Sequence, residues 1–234
     1  MGRLMLVGSL VFLVMLVLLA PLRLVLGWMG AEGAGLSARR VEGTVWSGQL
    51  RQAAFRSVSL GDARVGVSPL RLGFRVRARG EAQGEGVLRL RQDGIALARV
   101  DASVPLRRIA PAAPMTGELV LRNFDLDIRR SGCRSARGEV ALQQVQIGPT
   151  APAGLRLVGR AACRDGRLVA PLTGQASGVV VDALLSLDAA GRYELVTRLR
   201  ATDPTAVAAA GAANFERGLD GFTRTDRGRL DAVR

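Results

Sequence analysis

Histidine and lysine are both missing from this 234-residue chain, and aromatic residues make up only 4% of it. Without histidine the commonest general base, the commonest metal ligand and the usual partner of a catalytic serine are all excluded. Other enzymatic routes each need a recognisable constellation. The sequence carries no glycine-rich phosphate loop, no Gly-x-Ser-x-Gly elbow and no carboxylates at ligand spacing. No enzyme is expected, and with it no catalytic, cofactor-binding or metal-binding residue, no cofactor and no small-molecule substrate. The scarcity of aromatics means that any core is built from Leu, Val and Ala. The lack of lysine makes all 33 basic residues arginine, against 20 acidic ones, for a net charge of +13. An Arg-only chain rich in Ala, Gly and Val reads first as the codon bias of a GC-rich bacterium. The arginines are spread along the chain with no tight cluster, so nucleic acid is not expected as a partner. Hydrophobic residues at 48% and charged residues at 23% suit a packed domain rather than a disordered one.

Charge is absent over one long stretch. Leu4 to Leu22 is an uncharged run of 19 residues led by Arg3. Its length suits a span of the hydrocarbon core, which takes about 20 residues. A cleavable leader has a shorter apolar region of about 7–15 residues followed by small residues at the cut. Pro21 to Met29 offers no such site, although Gly30 and Ala31 could serve a distant one. Trp28 suits a membrane interface. Residues 1–30 are therefore expected to be a retained anchor in a bacterial inner membrane. The N-terminus would be cytoplasmic, and residues 31–234 would form a periplasmic domain. Arg3 favours that orientation while Arg23, Arg39 and Arg40 oppose it. A short N-terminal tail before a large domain generally translocates the domain regardless of its charge.

Cysteine occurs twice, at Cys133 and Cys163, with no Cys-x-x-Cys pair. In an oxidising periplasm the two would join in a disulfide closing a loop of 30 positions, worth roughly 3–4 kcal/mol in the chain-entropy model. The alternative is two unrelated thiols.

Period two dominates the rest. Leu70, Leu72, Phe74, Val76 and Ala78 alternate with Arg71, Gly73, Arg75, Arg77 and Arg79, which puts one set inside and the other in water. Asp93-Gly94 between alternating runs signals a hairpin, and a second is expected where Val179 to Leu187 meets Tyr193 to Leu199. The segments 117–126 and 138–147 echo each other, and in both the apolar phase slips after the fifth residue. Such a slip is the sequence form of a β-bulge. Two in succession suggest neighbouring strands of a curved sheet, with chance similarity in a simple alphabet as the alternative. Asp203-Pro204 can open a helix over Thr205 to Arg217, with Gly218 ending it. Gly221 and Gly228 bracket a last short strand, and residues 231–234 are expected to fray. The fold class is thus mainly β: one N-terminal transmembrane helix, then a curved, mostly antiparallel sheet with one short C-terminal helix.

Residues 43–48 read Gly43-Thr44-Val45-Trp46-Ser47-Gly48. This segment, shortly after an apolar run, resembles protein N of the type II secretion system. The likeness continues through Leu60-Gly61 and Pro69-Leu70, although Val65 stands near the place where that family has a Trp. It extends to Cys133 with Gly138-Glu139-Val140, Cys163 with Asp165-Gly166, and a Gly191-Arg192-Tyr193 turn before Leu219-Asp220-Gly221. Read physically, Gly43 and Gly48 allow tight turns at strand ends, and Trp46 is expected to anchor the first strand in the core rather than serve as a docking residue. The resemblance implies an accessory part of the machine that moves folded proteins across the outer membrane. Such a part would act by protein–protein binding. The implied partners are the inner-membrane platform, protein C and the secretin, with the inner membrane holding the anchor. The rival class is an envelope lipid-handling protein with an apolar concave sheet.

Overall fold

The computed structural model describes residues 2–28, 36–55, 58–68, 73–91, 93–109, 115–147, 154–176, 178–202 and 204–229. The chain opens with helix α1 (Gly2–Leu18) and helix α2 (Leu22–Trp28). Pro21 divides them: it has no N–H to continue the ladder and disfavours helical geometry at Ala20. The run expected as one 19-residue span therefore yields a helix of 17 residues, about 25 Å long. Among the described residues no helix is long and apolar enough to cross a membrane.

Among the described residues sixteen strands follow. They are β1 (Leu36–Ser37), β2 (Arg40–Gly43), β3 (Gly48–Phe55), β4 (Val58–Ser68), β5 (Gly73–Arg79), β6 (Gln83–Arg91), β7 (Gly94–Pro105) and β8 (Met115–Arg129). Then come β9 (Gly132–Ile147), β10 (Leu155–Arg160), β11 (Ala162–Arg164), β12 (Arg167–Ala176), β13 (Val179–Leu187), β14 (Arg192–Ala201), β15 (Glu216–Gly218) and β16 (Gly221–Arg229). Helix α3 (Leu106–Ile109) lies between β7 and β8, and α4 (Pro204–Ala212) between β14 and β15. All the strands belong to one antiparallel sheet in the order β1-β3-β4-β5-β6-β7-β8-β9-β10-β12-β13-β14-β16-β15, with β2 also on β3 and β11 also on β12. Nearly every strand pairs with its neighbour in sequence, so the sheet is a meander built from hairpins.

The alternation resolves into two faces. One continuous inner face includes the directly paired row Phe74–Leu88–Leu97–Leu126. It also includes Leu121–Val140–Gly159–Leu172–Ala183–Thr197. In β5, Ala78 is buried while Arg75, Arg77 and Arg79 are exposed, as the alternation predicts; residues 69–72 of that run lie outside the described residues. Two clusters fill the inner face. The larger joins Leu157, Leu172 and Val181 to Ala206, Ala210 and Phe215 at and just beyond α4. The smaller joins Leu22 of α2 to Leu50, Ala53, Ala63 and Val65.

Curvature comes from bulges. Gln52, Arg99, Asn123 and Gln144 have φ of 50°, 48°, 45° and 52°, and pairing registers shift across each of them. The last two lie where the sequence phase slips, and β8 and β9 are neighbours as expected. Left-handed geometry in a non-glycine residue costs roughly 1–2 kcal/mol, and a carboxylate offsets it at three of these positions. Gln52 N–H donates to Asp62 Oδ1 (3.2 Å), Arg99 N–H to Asp125 Oδ1 (2.8 Å) and Asn123 N–H to Asp101 Oδ1 (2.9 Å). The last two bonds run in opposite directions between β7 and β8, so the paired bulges hold each other.

Both expected hairpins form. Arg91 pairs with Gly94, and Leu187 pairs with Tyr193. The expected C-terminal helix is shorter than Thr205 to Arg217. It stops at Ala212, and Asn214 at φ 56° takes the left-handed position in place of Gly218. Asn214 N–H donates to Gly211 O and Phe215 N–H to Ala210 O, both at 3.1 Å. This bonding is that of a Schellman cap, and it sends Glu216–Gly218 into a strand. The last strand spans Gly221 to Arg229, while residues 231–234, expected to fray, lie outside the described residues. Cys133 and Cys163 are joined in a disulfide with Cα atoms 5.6 Å apart.

Candidate docking sites

The six residues 43–48 form the turn between β2 and β3, closed by the Gly43–Gly48 pair. Gly43 has φ +87°, which only glycine adopts without strain. Ser47 N–H donates to Thr44 O (3.2 Å), and the turn takes the segment out of strand alternation. Val45 consequently faces in, at 9% exposed, and Trp46 stands 38% exposed. The expectation that Trp46 fills the core is thereby corrected: a tight turn reverses the chain before that side chain can point inward.

This turn receives the segment that follows α1. Pro21 bridges Thr44, and Val45 N–H donates to Ala20 O (3.1 Å). On the opposite side Val67 N–H donates to Val45 O (3.0 Å), which ties the turn to β4. Leu22 is fully buried. A side chain at Gly48 would run into its Cδ2 atom, so the second glycine of the motif is the floor on which Leu22 sits. Sequence reasoning assigned Leu22 to the apolar run and missed this contact. The available signal was Pro21, which ends the helix just before it.

The outward face of β12, β13 and β14 offers a second surface. Pro171, Leu184 and Val196 are directly paired across the three strands. Leu184 is 44% exposed and Pro171 is exposed. Charged neighbours flank this row: Arg200 donates to Asp182 (2.9 Å) and Arg227 to Glu194 (2.7 Å).

Ion pairs brace the turns between these surfaces. Arg108 of α3 reaches both oxygens of Glu81, at 2.6 and 2.8 Å, fixing the helix to the β5–β6 turn. The hydrogen bond from Arg108 holds the Glu81 carboxyl below its ordinary pKa. Arg129 does the same for Asp93 at the β6–β7 turn, at 2.6 Å. At the β13–β14 turn, Asp188 accepts the Arg192 N–H (2.9 Å) and faces its guanidinium (2.7 Å), and the backbone bond leads in lowering its pKa. On the inner face Arg224 binds Asp226 at 2.7 Å and donates to Ala213 O at 2.6 Å. Burial, with Asp226 nearby, raises the pKa of Tyr193.

The Gly43–Gly48 turn and the disulfide pair lie about 100 residues apart in sequence and in different parts of the sheet, so they do not form one site. No curated protein and no solved structure matches the chain. The family model described as "Type II secretion system (T2SS), protein N" matches residues 34–218, which takes in the turn, both cysteines and fifteen of the sixteen strands. The chain belongs to the type II secretion system protein N family.

Proposed function

We propose that this protein is an accessory component of type II secretion held in the bacterial inner membrane by α1, with its sheet in the periplasm. Family membership over residues 34–218 carries the reading. The anchor is supported by α1 itself. Every described side chain from Met5 to Leu19 is exposed, among them Phe12 at 68% and Leu6 at 72%. A helix that is apolar all round belongs in a buried or lipid setting. The uncharged run goes on past the end of α1 through Leu19, Ala20 and Pro21, so helix and following segment together supply the apolar length a span takes, and Arg3 can snorkel to the cytoplasmic surface.

The protein acts by binding, not by catalysis. The inner-membrane platform, protein C and the secretin are its partners, and the row Pro171–Leu184–Val196 is its docking surface. An apolar row on the outside of strands whose other side is core needs a partner more than the fold does. A photo-cross-linking residue at Leu184 should capture a secretion component in cells, and Pro171→Glu, directly beside it and exposed, should abolish that capture while leaving the fold intact. Deleting the gene should reduce release of secreted hydrolases while their export to the periplasm stays normal. One observation favours the lipid-handling reading: Leu88, Ala102 and Val104 on the inner face are half-buried and belong to neither cluster. Phospholipid recovered from the inner face in place of protein captured at Leu184 would install that reading.

A further inference from the structure

The outward face of β3 to β6 is strongly and locally basic. Arg51, Arg64, Arg75, Arg77 and Arg79 are all exposed on it. Two carboxylates accompany them. Glu85 accepts a hydrogen bond from Arg77 (2.9 Å), and Asp62 Oδ1 accepts the Gln52 N–H. Arg51 stands 3.8 Å from Glu42. Arg64, Arg75 and Arg79 make no ion pair among the described residues. The register also sets Arg64 directly opposite Arg77. Like charges in that position are destabilising, and a strand pair that keeps them forgoes stability that an opposite charge would add. Together they border a shallow depression of about 240 Å³ shared with Arg51, Asp62 and Arg79. Planar guanidiniums held side by side on rigid strands suit phosphate oxygens.

The position of this face says where the phosphate comes from. The rung Gly48–Val65–Val76 crosses β3, β4 and β5, and Gly48 is the residue on which Leu22 rests. Arg64 and Arg77 lie one rung from it, and Arg75 one rung to the other side, each step being about 3.3 Å; their side chains leave the face opposite Leu22, beside the 43–48 turn whose Val45 N–H bonds Ala20 O at the end of α1. Leu22 follows the last residue of α1 by four positions, at most about 14 Å of chain. With α1 inserted, that distance crosses a headgroup layer of about 5–8 Å and ends within reach of a Debye length of about 8 Å.

We propose that the arginine face of β3 to β6 lies on the membrane that α1 enters and binds the phosphodiester headgroups of its anionic phospholipids. The inference rests on the membrane insertion of α1 and adds an orientation to it: the sheet meets the bilayer by the end that carries the 43–48 turn, with Leu22 on one face and the arginines on the other, which leaves β12 to β14 for protein partners. Helix and arginines would then hold the domain at two points rather than one, and two linked contacts reinforce each other without either being strong.

The test uses the full-length protein in lipid nanodiscs of phosphatidylcholine alone or with phosphatidylglycerol added. Exposed arginines are modified with a dicarbonyl reagent and read residue by residue by mass spectrometry. Modification of Arg64, Arg75 and Arg79 should fall several-fold when phosphatidylglycerol is present and recover in high salt. Arg160 and Arg198, exposed on β10 and β14, should react equally in both discs. In the double variant Arg64→Gln, Arg79→Gln, Arg75 should lose its lipid-dependent protection. Equal modification of the β3 to β6 arginines in the two lipids overturns the proposal. So does equal protection by inorganic phosphate at matched ionic strength, which would mark a free-anion site. A chain that fails to elute with discs of either lipid sinks the anchor as well, whereas a chain that inserts and shows no lipid dependence sinks only the arginine face.

Discussion

At the scale of single residues, Gly48 and Leu22 carry the most consequence. Leu22→Ala removes a fully buried side chain and should cost about 2–5 kcal/mol in chemical denaturation, the usual range for such a deletion. Gly48→Ala pushes a methyl group into the same side chain and should cost about 1–3 kcal/mol. The two effects share one contact, so they should not add: with Leu22 shortened, Gly48→Ala has room. Strict additivity in the double variant would refute the contact. Asp188 makes a second residue-level prediction. Its folded pKa is lowered by the Arg192 N–H and guanidinium, so the deprotonated form favours folding. The stabilisation it supplies is present above the ordinary carboxylate pKa of about 4 and is lost as pH falls through the lowered one. Asp188→Asn should therefore flatten the acid limb of a stability–pH curve below about pH 4 and leave its alkaline limb unchanged.

At the scale of elements, the disulfide fixes the start of β9 to β11. Cys133 N–H also donates to Gly166 O at 2.7 Å, so β9 meets the β11–β12 turn through both backbone and side chain. Cys133→Ala should lower stability by about 3–4 kcal/mol, the value for a closed loop of this length, and equal stability of the reduced and oxidised protein would contradict it. These elements differ in how plainly the sequence announces them. Strands with a solvated face were legible because arginine stands at alternate positions 75, 77 and 79 of β5. The bulges at Asn123 and Gln144 were legible because a one-residue slip moves every later apolar side chain, a signal that cannot be hidden in a strand of period two. The end of α4 was not, since Ala-rich sequence has no apolar period from which to read a stop, and an Asn cap looks like any polar residue. Trp46 misled for a related reason. Its size argued for the core, but the six-residue turn that exposes it is fixed by Gly43, Thr44 and Ser47, whose hydrogen bonds lie outside strand alternation. Leu22 was hidden by its neighbours: it closes an uncharged run of 19 residues, and Pro21 alone marks the place where the chain leaves the helix for the sheet.

At the scale of the whole molecule, the two clusters make the N-terminal segment part of the folded domain. Leu22 and Leu26 from α2 pack with Leu50, Ala53, Ala63 and Val65, while the larger cluster lies around β8 to β14 and α4. A chain cut near Ala31 would leave the smaller cluster uncovered and the larger one intact. Burying a leucine contributes about 1.5–3 kcal/mol, so the backbone amides of β3 to β5 should exchange with solvent roughly tenfold to a hundredfold faster in the truncated protein, at 1.4 kcal/mol per decade. Amides of β12 to β14, which the cut does not touch, should exchange at their original rate, because local openings draw only on local contacts. Unchanged exchange in β3 to β5 would mean that Leu22 adds nothing to the domain. The same reasoning predicts what the cell keeps. A protease that removed residues 1–30 would also remove the lid of the smaller cluster, so the mature protein should begin at or near Met1, and a periplasm-active reporter fused after Arg234 should be active. N-terminal sequencing that begins near Ala31 would show the anchor to be a leader, and the exchange experiment would then tell whether β1 to β5 stay folded without it.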